Sequence, residues 1–451
     1  MNDTITAIST ALGIGAISIV RVSGEDAIDI VNEVFKGKNL SKVDSHTIHY
    51  GHIIDNEEIV DEVLVSVMRA PKTFTTEDIV EINCHGGIAT TNKVLELLLT
   101  KGCRLAEPGE FTKRAFLNGR IDLIEAEGVM DLINSKTEQA SKLALNQVDG
   151  KVSNLIKKLR QEILEVLANI EVNIDYPEYE DIEQYTTDKL KESIYDLKKS
   201  ISKILNESKN GKLISEGIKV SIIGKPNVGK SSILNNLLGE NKAIVTDVEG
   251  TTRDIVEGTI NLDGLMLNII DTAGIRETKD IVESIGVNKS IELIETSDLV
   301  LFVLNNNEEL DKESIDILKK LHNKNYVVIV NKIDLTNKLD LKSIKTDNIV
   351  LMSALENKGI EELKHLIKKI YNMEEINTQD MTYLTSARSI SILRKALSSV
   401  KDIEKGLLDD MPIDILEIDL KNIWSLLGEI IGETYNDELI DQLFSQFCLG
   451  K

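Results

Sequence analysis

The residues with the clearest chemical spacing are Gly224-Lys225-Pro226-Asn227-Val228-Gly229-Lys230-Ser231, which fit the pattern G-x-x-x-x-G-K-[ST]. They follow an apolar run and open a helical one. In that context glycines let backbone amides close around a β-phosphate, and the helix N-terminus adds its dipole. Lys230 is expected to pair with β- and γ-phosphate oxygens, and the Ser231 hydroxyl to ligate Mg²⁺. The binding stretch runs from Asn227 through Val228, Gly229, Lys230 and Ser231 to Ser232. Three shorter motifs follow in order. In Asp271-Thr272-Ala273-Gly274, the Asp would hold the Mg²⁺ shell and the Gly amide would reach the γ-phosphate. In Asn331-Lys332-Ile333-Asp334, the Asp334 carboxylate can accept from guanine N1–H and N2–H₂, and Lys332 would lie over the base. Adenine lacks both donors there. Ser353-Ala354-Leu355 then brings a backbone amide to guanine O6. Four motifs in this order imply a GTP site rather than an ATP site.

Between the first two motifs lie Thr246-Asp247-Val248-Glu249-Gly250-Thr251-Thr252, then Arg253-Asp254. The first seven are expected to line the nucleotide. Thr252 is the natural second hydroxyl ligand of Mg²⁺, ordered when γ-phosphate is present. Ile275 stands where Ras-like GTPases carry the glutamine that positions the attacking water. An isoleucine cannot orient water, so either hydrolysis is slow or another group does this work. Asn227 has two readings. Its amide oxygen can ligate a monovalent cation beside the phosphates, acting as an arginine finger would. Otherwise it is a structural residue of the loop.

These motifs need a scaffold, and apolar periodicity outlines one. Runs at 220–223, 267–270, 299–304, 327–330 and 349–352 alternate with helical segments, the pattern of a doubly wound α/β domain with a parallel sheet. Residues 1–118 read as an α+β domain, with strands near 14–22, 63–67 and 79–82 and helices near 26–35 and 88–99. Val148, Val152, Leu155, Leu159, Ile163, Val166 and Ile170 fall on one face of a long helix that Asp175-Tyr176-Pro177 stops. Leu190, Ile194, Leu197, Ile201 and Ile204 mark a second helix, and Leu393, Leu397, Val400 and Leu407 another. Single apolar stripes need partners, so these helices belong to a bundle. The expected architecture is multidomain: an α+β N-terminal domain (1–118), a discontinuous α-helical bundle (119–213 and 373–451), and an inserted Ras-like α/β G domain (214–372).

Composition bounds the rest. The 451 residues suffice for about three domains. With 75 acidic and 52 basic residues the net charge is −23, which excludes a uniformly basic nucleic-acid cradle. No apolar run approaches the ~18–20 residues that span a membrane, and residues 1–10 lack the pattern of a signal or transit peptide. Cys84, Cys103 and Cys448 are too few and too scattered for a disulfide framework or zinc site. The expected compartment is the cytoplasm of a bacterium.

Further segments carry a family resemblance. They are Gly250-Thr251-Thr252-Arg253-Asp254, His85-Gly86-Gly87, Pro108-Gly109-Glu110-Phe111-Thr112, Arg114-Ala115-Phe116-Leu117-Asn118 and the ending Phe447-Cys448-Leu449-Gly450-Lys451. With a G domain inserted in a helical domain, the chain resembles the MnmE (TrmE) family of tRNA-modification GTPases, within the TrmE–Era branch. The resemblance implies a K⁺-activated GTPase acting with an FAD-binding partner, MnmG (GidA), in a heterotetramer or larger complex. The two would install an aminomethyl or carboxymethylaminomethyl group at C5 of the wobble uridine (U34) of certain tRNAs. A 5-formyl- or 5,10-methylene-tetrahydrofolate would donate the one-carbon unit. The N-terminal domain would bind that folate and hold a homodimer. On this chain the resemblance puts K⁺ at the Asn227 side chain and backbone oxygens of Thr246, Val248 and Thr251. It gives the water-polarising role to Glu283, and the folate to Arg21, Glu81, Arg120 and Lys451. Family members often carry Lys where Arg120 stands, which keeps charge but not geometry. Cys448 is either a nucleophile toward C6 of the base or a cysteine packed under the helical domain.

Two other classes compete. An Era-like ribosome-assembly switch needs a basic RNA module, which residues after 373 do not supply. A dynamin-like membrane GTPase needs a basic amphipathic surface or a lipidation signal, and residues 447–451 do not form a CaaX box.

Overall fold

The computed structural model describes residues 3–175, 187–240, 256–270, 292–371, 373, 383–435 and 437–450. The chain divides into two compact units. One comprises Met1–Met130, Gln147–Tyr195 and Lys395–Lys451; the other comprises Asp131–Asn146 and Asp196–Arg394.

In the first unit, alternation of apolar and polar residues makes a sheet with one buried face. Its strands are β1 (Ile5–Ile8), β2 (Ile17–Ser23), β3 (Phe35–Lys36), β4 (Thr47–Asp55), β5 (Glu58–Met68), β6 (Ile79–His85) and β7 (Arg104–Leu105), in the order β3-β4-β5-β6-β2-β1-β7. All neighbours are antiparallel except β1 and β7. Helices Ala27–Val34 and Ile88–Thr100 cover one face, where Val20, Val22, Val63, Val65, Val67 and Ile82 meet Val31, Val94 and Leu98. On the other face Ile48, Tyr50 and Leu64 are 65, 61 and 48% exposed. The register runs Tyr50–Leu64–Asn83–Ile19 and, one pleat along, Ile48–Ser66–Glu81–Arg21. Arg21 and Glu81 therefore share the face that carries the exposed apolar residues.

Helix Glu110–Leu117 closes one end of that face, with Phe111 packed on Ile5, Ala7 and Ala106. Its buried Arg114 binds the Asp3 carboxylate (2.8 Å) and carbonyl (2.8 Å), Glu77 (3.1 Å) and Glu110 (3.1 Å). Residues 447–450 dock here too. Phe447 joins Phe116, Leu123, Ala126, Ile440 and Phe444 in one cluster. The Gly109 amide donates to the Cys448 carbonyl at 3.2 Å. Gly109 has φ +71°, and a Cβ there would lie 2.4 Å from the Phe444 carbonyl oxygen, so only glycine admits this segment.

Two helices of this unit, Lys151–Asp175 and Ile413–Ile431, pack on each other. The expected long stripe is corrected in two respects. Val148 ends a separate helix, Glu138–Val148, because the chain breaks at Asp149-Gly150, where Gly150 takes φ +73°. The buried stripe is Val152, Ile156, Leu159, Ile163, Leu167 and Ile170; Leu155 and Val166 lie half-buried at its edges. Arg160 lies under this seam, 4.2 Å from the Trp424 ring centroid and ion-paired with Glu433.

The second unit contains a sheet of β8 (Ile218–Ile223), β9 (Val256–Leu262), β10 (Leu265–Ile270), β11 (Leu299–Asn305), β12 (Asn325–Asn331) and β13 (Ile349–Leu351), ordered β13-β12-β11-β8-β10-β9. Every residue of β11 is buried, since Leu299, Leu301 and Val303 face one core and Val300, Phe302 and Leu304 the other. Helices Lys230–Glu240 and Ile360–Ile370 cover the first face, and Lys312–Leu321 helps cover the second. The sheet is parallel as expected except for its edge strand β9, which pairs antiparallel with β10 through a turn at Asp263-Gly264 (φ +48° and +100°). An Asp-Gly pair is a known hairpin signal.

Burial separates the cysteines. Cys84 and Cys103 lie in the core of the first sheet, and burial pushes both thiols up to about 12. Cys448 is exposed, which removes its packed-cysteine reading. Because a thiolate is the reactive form, at pH 8 a thiol reagent should label Cys448 within minutes and reach Cys84 and Cys103 only after denaturation. Rapid labelling of a second native thiol, read by peptide mass spectrometry, would contradict this packing.

Candidate functional site

The phosphate loop follows β8 and leads into helix Lys230–Glu240. Three of its residues have positive φ: Gly224 (+149°), Asn227 (+63°) and Gly229 (+100°). Both glycines are sterically required. A Cβ on Gly224 would lie 2.4 Å from the Val303 carbonyl oxygen, and one on Gly229 would lie 2.2 Å from the Asn331 side-chain nitrogen. The Lys230 ammonium donates to the carbonyls of Gly224 (2.8 Å) and Lys225 (2.7 Å), which fixes it inside the loop. Burial holds this lysine below the ordinary lysine range.

The base-recognition segments join this loop through Asn331 at the end of β12. Asn331 Nδ2 donates to the Val228 carbonyl at 2.8 Å, and its Oδ1 accepts from the Ala354 amide at 3.0 Å. The Lys332 ammonium donates to the Asn227 carbonyl at 2.7 Å, which leaves its aliphatic stem to cover a base. Asp334 is exposed and accepts from the Ser353 hydroxyl at 2.6 Å, which orients the carboxylate. The Ala354 amide is therefore committed to Asn331 in this structure. Asn236, on the helix after the phosphate loop, donates to the Ala354 carbonyl at 2.7 Å. Sequence reasoning missed Asn236, because a polar residue inside a helix gives no signal of its distant partner. Ser231 and Ser232 are exposed at the start of that helix. Among the described residues no cluster of three or more His, Cys, Asp or Glu could hold a metal.

Of the residues expected to meet a folate, Arg21 and Glu81 lie on the first sheet and Arg120 follows helix Glu110–Leu117. Arg21 and Glu81 are cross-strand partners; Arg21 Nε donates to Glu81 Oε1 at 2.8 Å, and Nη2 lies 2.8 Å from the same oxygen. Arg21 Nη1 donates to the Gly450 carbonyl at 3.2 Å, which also accepts from Ser9 Oγ at 3.1 Å. The guanidinium stands 5.6 Å from the Phe111 ring centroid. Arg120 is exposed, donates to the Phe74 carbonyl at 2.9 Å, and stands 5.0 Å from the Phe74 ring centroid. Phe74 packs against the apolar cluster of Phe111, so both arginines rest on rings of one cluster. Such a surface can stack a flat heterocycle and pair with carboxylates. Arginine–aromatic pairing so distant in sequence leaves no periodic trace; Phe111 belongs to a quoted motif, but nothing flagged Phe74. Glu110 sits in the ion network beneath. Burial alone would raise its carboxyl, but Arg104, the Glu107 amide and Arg114 outweigh that and hold it below the ordinary range.

Several expected residues lie outside the described residues: Thr246, Asp247, Val248, Glu249, Gly250, Thr251, Thr252, Asp271, Thr272, Ala273, Gly274, Ile275, Glu283 and Lys451. Among the described residues no helix is long and apolar enough to cross a membrane.

Comparisons with known proteins agree with this layout. Residues 4–120 match the family model described as GTP-binding protein TrmE N-terminus, and 123–448 match the MnmE helical domain. The tRNA modification GTPase MnmE of Staphylococcus aureus strain MSSA476 is 56% identical over 456 residues, covering 100% of this chain and 99% of the relative. The protein of the same name from strain bovine RF122 / ET3-1 is 55% identical over the same span. Among solved structures, Aquifex aeolicus Era bound to GDP.AlF4- is 29% identical over 40% of this chain and 66% of its own, with a TM-score of 0.26, too partial a likeness to argue from. Identity of this order along the whole length decides the matter: the chain belongs to the MnmE family of tRNA modification GTPases.

Proposed function

We propose that this GTPase is activated by K⁺ and, with an FAD-binding MnmG (GidA) partner, modifies C5 of U34 in certain tRNAs using a tetrahydrofolate one-carbon unit. The observation that carries the reading is the joining of the phosphate loop to the Asn331 and Ser353 segments by the Asn331 side chain, in a chain 56% identical to a tRNA modification GTPase. GTP would be held by residues 227–232, by Asn331, Lys332 and Asp334, and by the turn at Ser353-Ala354-Leu355. Mg²⁺ would take the Ser231 and Thr252 hydroxyls. K⁺ would take the Asn227 amide oxygen, with Thr246, Val248 and Thr251. Asn227 is exposed at positive φ within the loop, which suits an outward-facing ligand. Glu283 would orient water where Ile275 cannot.

The folate reading rests on Arg21 and Arg120 over two aromatic rings, on Glu81 beside Arg21, and on the segment leading to Lys451, which is hydrogen-bonded to Arg21. Glu81 is already paired with Arg21, so a pterin would share that carboxylate rather than meet a free one. Cys448, exposed on the same segment, is the proposed nucleophile toward the base. The apolar face of Ile48, Tyr50 and Leu64 suits a second copy of the chain, which supports a homodimer. The division into 1–118, 119–213, 214–372 and 373–451, and a cytoplasmic location, belong to the same proposal.

Three measurements test it. GTP turnover with Mg²⁺ should be at least about tenfold faster in KCl than in NaCl at equal ionic strength. Asn227→Ala should abolish that difference while keeping guanine nucleotide affinity, and equal slow rates for the natural chain in both salts would remove the K⁺ site. Glu283→Ala should stop turnover in KCl yet leave GTP binding intact; an active variant sinks that assignment. Arg21→Met should weaken 5-formyltetrahydrofolate binding by about tenfold or more in equilibrium dialysis, without changing GTP turnover. Unaltered folate affinity would move the cofactor elsewhere.

A further inference from the structure

Lys225 is the first variable residue of the phosphate loop, and none of the four nucleotide motifs assigns its side chain a role. Its ammonium lies 2.6 Å from Asp311 Oδ2. Asp311 is also the N-cap of helix Lys312–Leu321, where its other oxygen accepts from the Ser314 amide at 3.1 Å. One carboxylate thus holds a helix start with one oxygen and the phosphate loop with the other. Meanwhile the Lys225 carbonyl accepts from Lys230 at 2.7 Å. The Lys225 backbone is therefore pulled inward by Lys230 while its side chain is tied outward to the helix. The far side of the loop is held by Asn331 and Lys332, through the Val228 and Asn227 carbonyls. Among the described residues, the near side is held by Lys225–Asp311 and by the two Lys230 bonds, and Lys230 is the group that would turn toward phosphate oxygens.

We infer that the Lys225–Asp311 pair is a strap that keeps the phosphate loop in its binding shape, making Asp311 a positioning residue for GTP. The pair stays ionised at working pH. Burial opposes the Asp311 charge, but Lys225 and Ser314 outweigh it and bring the carboxyl down to about 2. Both side chains are about one-third exposed (36 and 38%), so the effect is modest. The inference rests on residues 224–231 being the phosphate loop.

Asparagine caps helices as well as aspartate does, so Asp311→Asn removes the ion pair and keeps the cap. Lys225→Met removes it from the other side and keeps the aliphatic stem. In the full-length protein each variant should weaken binding of a fluorescent GDP analogue by about three- to fivefold. The KM for GTP should rise similarly, with kcat within about twofold. The double variant should be no weaker than the worse single one, and Asp311→Glu should recover at least half the loss. The competing possibility is that Lys225 merely attracts phosphates. Releasing it by Asp311→Asn would then tighten binding while Lys225→Met weakens it. Affinity for Asp311→Asn equal to or tighter than that of the natural chain, or additive losses in the double variant, overturns the strap. Lys230→Met separates this from the underlying reading: if that variant still binds the analogue normally, residues 224–231 are not the phosphate loop at all.

Discussion

The carboxamide of Asn331 is the joint on which the nucleotide site depends. It is buried, and it satisfies a carbonyl of the phosphate loop and an amide of the Ser353 turn together. Losing it would leave both backbone groups unpaired in a dry environment, which costs about 1–3 kcal/mol for each group. The joint works because β8, β12 and β13 run parallel and end on the same edge of the sheet. It also accounts for a sequence requirement. Gly229 must be glycine because the Asn331 nitrogen occupies the space of its Cβ. The two most diagnostic motifs of the chain are thus one steric arrangement, seen from its two sides.

The first sheet obeys a comparable constraint with charge in place of an amide. Arg114 is buried among Asp3, Glu77 and Glu110, and removing one member of such a network strands the others without water. The network fixes helix Glu110–Leu117. That helix puts Phe111 beneath Arg21, and the amide of the residue before it, Gly109, donates to the Cys448 carbonyl. Arg21, Glu81 and Arg120, the residues proposed for the folate, thus stand on a buried layer that holds them in place.

What was legible in the sequence follows from these constraints. The phosphate loop showed because steric demands fix residue types at fixed spacing. The central strands showed because a sheet covered on both faces needs continuous apolar runs, as in β11. Strand β9 did not, since it lies at an edge, carries Gly258, and alternates with polar residues. The helix break at Gly150 was hidden because an apolar residue at 148 extended the stripe across it. A period of 3.6 residues admits both the stripe through Leu155 and Val166 and its neighbour through Ile156 and Leu167, and packing alone selects the second. Arginine–ring stacking and the Lys225–Asp311 pair join distant segments by side chains whose types are common everywhere.

A net charge of −23 stands against the binding of GTP, a polyanion, by a chain of this family. The opposition is one of range. At physiological salt a charge is screened within about 8 Å, so a phosphate inside the loop responds to nearby groups and not to distant carboxylates. There it meets a helix start and a partly desolvated lysine. Small anions can therefore be held on an acidic protein without any basic surface. A polynucleotide extends far beyond one such pocket and does feel the wider field. The positive groups of the described sites are largely spoken for: Arg21 is paired with Glu81, Lys225 with Asp311, and Lys332 is bonded within the fold. Among the described residues, these site cations leave little positive charge free for a nucleic-acid backbone, so the pocket is matched to a small anion rather than to a polynucleotide.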